Sequence, residues 1–221
     1  MVVLVVLHIY LQCNVGETGA AWRDSGSNGN HAGQGDSHNR PTVVSGGGLD
    51  FEDTNDAAST SMMDFTPFNI GGDTDFLMFI AWNPESTTSN TYLSDSSSEV
   101  FQQTSDSICL LKTSSGNSSM NHSSTFTIET AEKSVFMIHR TNTSSGTLKL
   151  YKNGLLHDPS EEDPTTFDLQ NLGSRNDASH WFDGIIYDVG VISGVLATDK
   201  VRDMITDYLC AKHGINRLGN Y

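Results

Sequence analysis

The chain has 221 residues, with 12 Lys and Arg against 27 Asp and Glu, for a formal net charge of −15. That balance repels a phosphate backbone, and no basic patch interleaves with aromatics, so nucleic acid is excluded as a partner. The length is enough for one β domain that needs no staples, and Cys13, Cys109 and Cys210 are too far apart for a disulfide framework or a C-x-x-C metal site, which leaves buried thiols.

The first run, "MVVLVVLHIYLQC", looks like a signal segment, but no Lys or Arg precedes it and no small-residue cleavage site follows. It is also too short to span a bilayer. Its β-branched richness predicts a buried strand with Leu4 in the core, no export signal and no membrane insertion.

Next comes "WRDSGSNGNHAG" at 22–33. It half fits an EF-hand loop, with Asp24 at the first position, Asn28 at the fifth, Gly29 at the sixth and Asn30 at the seventh. Gly26 and Gly35, however, stand where the third and the last ligands belong. A phosphate loop needs a lysine, which is missing. A free linker would not carry Trp22, a large ring that normally anchors in a core, so the loop is expected to be pinned.

Short apolar or alternating runs follow at 76–82, 108–112, 125–129, 134–141, 147–154 and 184–192, the spacing of an antiparallel sandwich. Expected core positions on these runs are Phe79, Ile138, Leu150 and either Ile186 or Tyr187. The Asn153-Gly154 pair predicts a tight turn, with "LLH" pairing back as the next strand. The Ser/Thr/Asn-rich stretches 86–98 and 113–124 read as outward loops, because their side chains compete for backbone hydrogen bonds. From Thr198 on, Val201, Met204, Ile205, Tyr208 and Leu209 fall at helical spacing, capped by Thr198 and stopped by Gly214. A helix over about 198–213 is predicted, burying Val201, Ile205, Tyr208 and Leu209.

The order of "LHIYLQCNVGETGAAWRDSGSNGNHAG", "GGGLDFEDTNDAAST", "FLMFIAW", "LKLYKNGLL" and "FDGIIYDVGVISGVLATDKVRDMITDYLCAKHGI" resembles the laminin-G-like, concanavalin A-like jelly-roll family, especially its stand-alone versions in phage and marine viral structural proteins. The resemblance covers nearly the whole chain. It implies one all-β domain over 1–221, a two-sheet antiparallel jelly roll with one C-terminal helix. It also implies that the 22–33 loop lies beside the last long strand, where Asp188 occupies the family's acidic position. Two readings then stand for Asp24, Asn28, Asn30 and Asp188: a structural calcium site that uses carboxylates, amides and carbonyls, or an Asx-turn network without an ion.

Glycoside hydrolases of this fold carry E-x-D-x-x-E on one strand, to place two carboxylates across a sugar ring. That signature is missing, as are H-E-x-x-H and G-x-S-x-G, so no catalytic residue is assigned and a non-enzyme is expected. "RNDASHWFDG" sets Arg175, Asn176, His180 and Trp181 just before a strand, a composition able to stack on a sugar ring and bond its hydroxyls; the alternative is that aromatics here pack the sheet end. The expected function is binding, as a virion capsid-decoration or tail subunit. Its expected partners are other virion structural proteins and cell-surface glycans, with homo-oligomers possible. The alternatives are a secreted, extracellular carbohydrate-binding module and, behind it, a glycoside hydrolase.

Overall fold

A computed structural model describes residues 6–12, 18–26, 28–52, 61–72, 74–87, 90–95, 99–113, 116–122, 125–141, 146–157, 161–174, 181–194 and 197–219. The first strands are β1 (Val6–Gln12), β2 (Ala21–Trp22), β3 (Ala32–Gly33), β4 (Thr42–Val43), β5 (Leu49–Phe51), β6 (Met63–Ile70), β7 (Phe76–Pro84) and β8 (Asn90–Ser94). They are followed by β9 (Glu99–Ser105), β10 (Ile108–Thr113), β11 (Gly116–Asn121), β12 (Ser134–Thr141), β13 (Thr147–Lys152), β14 (Leu155–His157), β15 (Phe167–Leu172), β16 (Gly184–Ser193) and the helix α1 (Asp199–His213).

Two antiparallel sheets form, as the sequence pattern predicts. One runs β14-β13-β12-β7-β16-β5-β4, with β1 added along the second half of β16; the other runs β11-β10-β9-β8-β15-β6-β3-β2. The central strands β7, β12 and β16 of the first sheet are buried on both faces, which explains why "FLMFIAW" is apolar without alternation. Phe76, Met78, Ile80 and Trp82 of β7 point into the core between the sheets, where Ile138, Leu150 and Ile186 also lie. Leu77, Phe79 and Ala81 point the other way, under α1, with Val135, Met137, Leu209 and Cys210. Phe79 is therefore a core residue of the helix side. Leu4 lies outside the described residues.

Two register shifts decide which side chains reach that helix side. In β16 the pairing with β7 slips between Ile186 and Asp188. Such a bulge turns two successive residues to the same face, so Tyr187 and Asp188 both face α1, while Ile186 and Val189 face the other sheet. In β1 the register slips between Leu7 and Ile9, which sends Ile9 and Leu11 inward and leaves Leu7 and Tyr10 on the helix side.

The helix has the predicted ends. The Thr198 side chain accepts from the Val201 N–H, and Gly214 closes the helix at φ 67°, a left-handed conformation that glycine adopts without steric cost. Its buried face differs from the prediction. Thr206, Leu209 and Cys210 are buried, whereas Tyr208 is 50% exposed and Met204 60% exposed. The reason is position: α1 contacts β12 and β7 and leaves its Val201–Tyr208 flank over the outer faces of β16 and β1.

Other expectations also changed. The stretch 86–98 contains β8, whose five residues are all buried, and 113–124 contains β11, so neither is simply an outward loop. Strand β8 escapes the alternation pattern because two of its buried polar side chains, Asn90 and Ser94, are bonded internally. Asn90 Nδ2 donates to Ser86 O at 2.5 Å, and Ser94 Oγ to Ser174 O at 2.7 Å. Conversely, 125–129 forms no strand; Phe126 and Ile128 are buried by a loop whose N–H groups bond to His122 O and Asp106 O. The turn at Asn153 and Gly154, with φ 51° and 83°, joins β13 to β14 as predicted.

Candidate functional site

The 22–33 loop is pinned, and its bonds can be traced. Trp22 is fully buried and its indole N–H donates to Gln12 O at 2.9 Å. Asp24 Oδ1 accepts from the N–H groups of Tyr10 and Gly26, both at 2.8 Å, and Oδ2 accepts from the Asn30 N–H at 2.9 Å. Asn28 Nδ2 donates to Leu7 O at 2.8 Å. The loop thus seals the outer edge of β1, with the geometry of an Asx-turn network.

Asp188 does not join it. It pairs with Gln12 on the β16 side of β1, whereas Asp24 bridges to Leu11 on the opposite side, so β1 runs between the two carboxylates. Among the described residues, no three His, Cys, Asp or Glu side chains come together to hold a metal ion. Replacing Asp24 by Ala strands three N–H groups and is expected to cost about 2–3 kcal/mol. Thermal melts in calcium and in chelator check this: equal losses mark hydrogen bonds as the hold, and a loss seen only in calcium marks an ion.

Asp188 is the centre of a different cluster. Fully buried at the end of α1, it accepts from Lys212 Nζ at 2.9 Å and is in contact with His213 Nε2. The His213 ring packs on Tyr187, over which Lys133 Nζ sits 4.2 Å from the centroid. Burial, and then the Asp188 charge, raise Tyr10 well above the usual phenol range, so its hydroxyl keeps its proton. In the sequence Lys212 and His213 read only as last-turn charges on the helix; the bulge that aims Asp188 at them leaves no mark in the periodicity.

Beside this cluster a groove of about 400 Å³ opens between α1 and the outer faces of β1, β16 and β7. Its floor crosses three strands. Tyr10 is paired with Gly190, Gly190 with Phe79, and the two rings meet edge-on at 5.6 Å. Only glycine permits this, since a Cβ at 190 would lie 2.3 Å from the Phe79 ring. Leu7 and Ile192 flank the floor, and Met204, Ile205 and Tyr208 form the helix wall. The helical spacing places Ile205 and Tyr208 in the core, and so gives no sign of a groove.

Of the predicted sugar-facing residues, Arg175, Asn176 and His180 lie outside the described residues. Trp181 and Phe182, the aromatics before "DG", differ in their surroundings. Phe182 is fully buried and stacks on Trp82 at 5.9 Å, packing the sheet end. Trp181 is half-buried, and its indole N–H has no hydrogen-bond partner among the described residues. The turn that carries it is fastened by Phe182 N–H to Gly173 O at 2.7 Å and Asp183 N–H to Asn90 Oδ1 at 3.2 Å.

No sequence family matches the chain, and no curated protein matches it. Solved structures do. A botulinum neurotoxin serotype G binding domain superposes with TM-score 0.55 at 16% identity, over 91% of this chain and 51% of that one. The receptor binding domain of a botulinum neurotoxin mosaic serotype C/D superposes with TM-score 0.53 at 14% identity, over 91% of this chain and 50% of that one. The serotype D binding domain gives 0.51 at 14%, with the same coverage. This chain spans about half the length of the solved chains it matches. At these identities the likeness establishes the fold: a lectin-like two-sheet β-sandwich with one helix near the C-terminus.

Proposed function

We propose that the protein acts by binding and not by turnover, as a lectin-like recognition module for cell-surface glycans. A laminin-G-like membership of the sandwich class and a virion surface as the setting, beside other virion structural proteins, belong to the same proposal. The fold shared with toxin receptor-binding domains supports the binding reading. The strongly acidic composition, which keeps a densely displayed protein soluble, supports the setting. The observation that carries the glycan site is Trp181: a half-buried indole whose N–H has no partner among the described residues, next to a segment fastened to the sheet end. Buried donors are nearly always paired in native structures, and a sugar hydroxyl both stacks near and accepts from an indole.

Glycan-array binding followed by titration tests the site. Trp181→Ala is expected to weaken the best glycan by about tenfold or more, in a protein that still unfolds cooperatively, at a somewhat lower temperature because the ring is half-buried. Binding that survives the substitution removes this site. Mass spectrometry of purified particles tests the setting. Hydrolysis of a β-glucan that is lost on mutating a carboxylate replaces the binding reading with an enzymatic one.

A further inference from the structure

We propose that the groove between α1 and the β1, β16 and β7 faces binds a free single-chain amphiphile with a carboxylate head. The apolar part of the site is built, not left over. Met204 and Tyr208 are the groove's wall yet stand 60% and 50% exposed on a helix that otherwise hides its apolar stripe. The missing side chain at Gly190 lets Phe79 lie flat as a floor. At about 400 Å³, the space falls in the range of small-ligand sites.

The polar end selects the head. Both Asp188 oxygens are engaged, by Lys212 and His213, so the carboxylate offers little to a cationic head. What remains unspent there are donors. Lys212 has three N–H groups and gives one to Asp188; it is partly exposed, and its Nζ lies 5.7 Å from the Tyr208 ring centroid, at the mouth of the groove. The Tyr208 hydroxyl meets the Tyr10 side chain and donates to Gln12 Oε1 at 3.5 Å, a long bond that a closer acceptor can replace. A carboxylate between Lys212 and Tyr208 gains charge-assisted hydrogen bonds on both oxygens, while its chain runs along Leu7, Phe79 and Ile205. The net charge of −15 opposes any anion. A single carboxylate, however, meets Lys212 directly at the groove mouth, whereas an extended anionic bilayer also meets the acidic surface around it, which favours a free ligand over a membrane lipid.

The test is calorimetric titration of the whole protein with decanoate below its micelle concentration, beside decanol and decyltrimethylammonium. Decanoate is expected to bind saturably at one site, shifting the methyl resonances of Met204 and Ile205. Decanol and the ammonium amphiphile are expected to bind about tenfold or more weakly. Met204→Glu, at an exposed position that spares the fold, should weaken decanoate by a similar factor, and Tyr208→Phe should weaken decanoate but not decanol. Equal affinity for the three heads overturns the carboxylate assignment. Resonance shifts confined to other residues, partition only into vesicles, or ligand-free self-association through Met204 and Tyr208 overturn the site. These results are independent of Trp181.

Discussion

Replacing Arg140 with Met should lower stability by about 4 kcal/mol, and a 221-residue domain should then melt roughly 8–16 °C earlier. Arg140 is 1% exposed. Its guanidinium donates to the carbonyls of Thr165 at 2.6 Å, Thr74 at 3.0 Å and Asp163 at 3.2 Å, and contacts that of Gly71. It also lies 4.8 Å over the Phe76 ring. One side chain thus ties the Gly71 and Thr74 carbonyls, ahead of β7, to the 163–165 segment, which leads into β15 of the other sheet. Methionine fills the volume but strands these acceptors, and buried unpaired carbonyls are costly. Arg140→Lys should recover only part of the loss, because one ammonium cannot reach the same set of carbonyls. A loss below about 1 kcal/mol for Arg140→Met would show that the carbonyls find other donors.

For Asp188→Ala the expected loss is about 3 kcal/mol, from leaving Lys212 and His213 facing an apolar hole. Lys212 is 20% exposed at its side chain and can partly escape to water, which keeps the figure below that for Arg140. A double-mutant cycle with Lys212→Met separates the ion pair from the packing. If Lys212→Met costs as much in an Asp188→Asn background as in the parent, the pair contributes nothing. The loss should be the same in calcium and in chelator, since Lys212 and His213 already engage both carboxylate oxygens.

How far the sequence revealed these features follows from what each depends on. Local devices were readable: the Thr198 and Gly214 caps, the Asn153-Gly154 turn and the pinned Trp22 all depend on residues close in the chain. The acidic position at Asp188 was also visible, but its partner was misplaced. The Tyr187 bulge inverts the period-2 parity from that point onward, and nothing in the composition announces it. Strand β8 reads as a loop because Asn90 and Ser94, polar residues that favour turns, are buried in mid-sheet with side-chain hydrogen bonds of their own. The groove stayed hidden for the opposite reason. A helical stripe of Val201, Met204, Ile205 and Tyr208 has the same spacing whether a sheet covers it or only partly does.

The position of β16 has a consequence for how the chain comes together. It is the last strand, yet it pairs with β7, with β5 and with β1, where Val6 faces Ser193. Each of these strands waits for a partner that follows it far along the chain. The central sheet therefore cannot zip up behind the ribosome as it emerges. Its closure carries the loop entropy of nearly the whole described chain, the condition under which sandwiches fold in milliseconds to seconds rather than microseconds. Until then the apolar flank of β7 stays open to other nascent chains, so the step that completes this fold is also the one most exposed to aggregation.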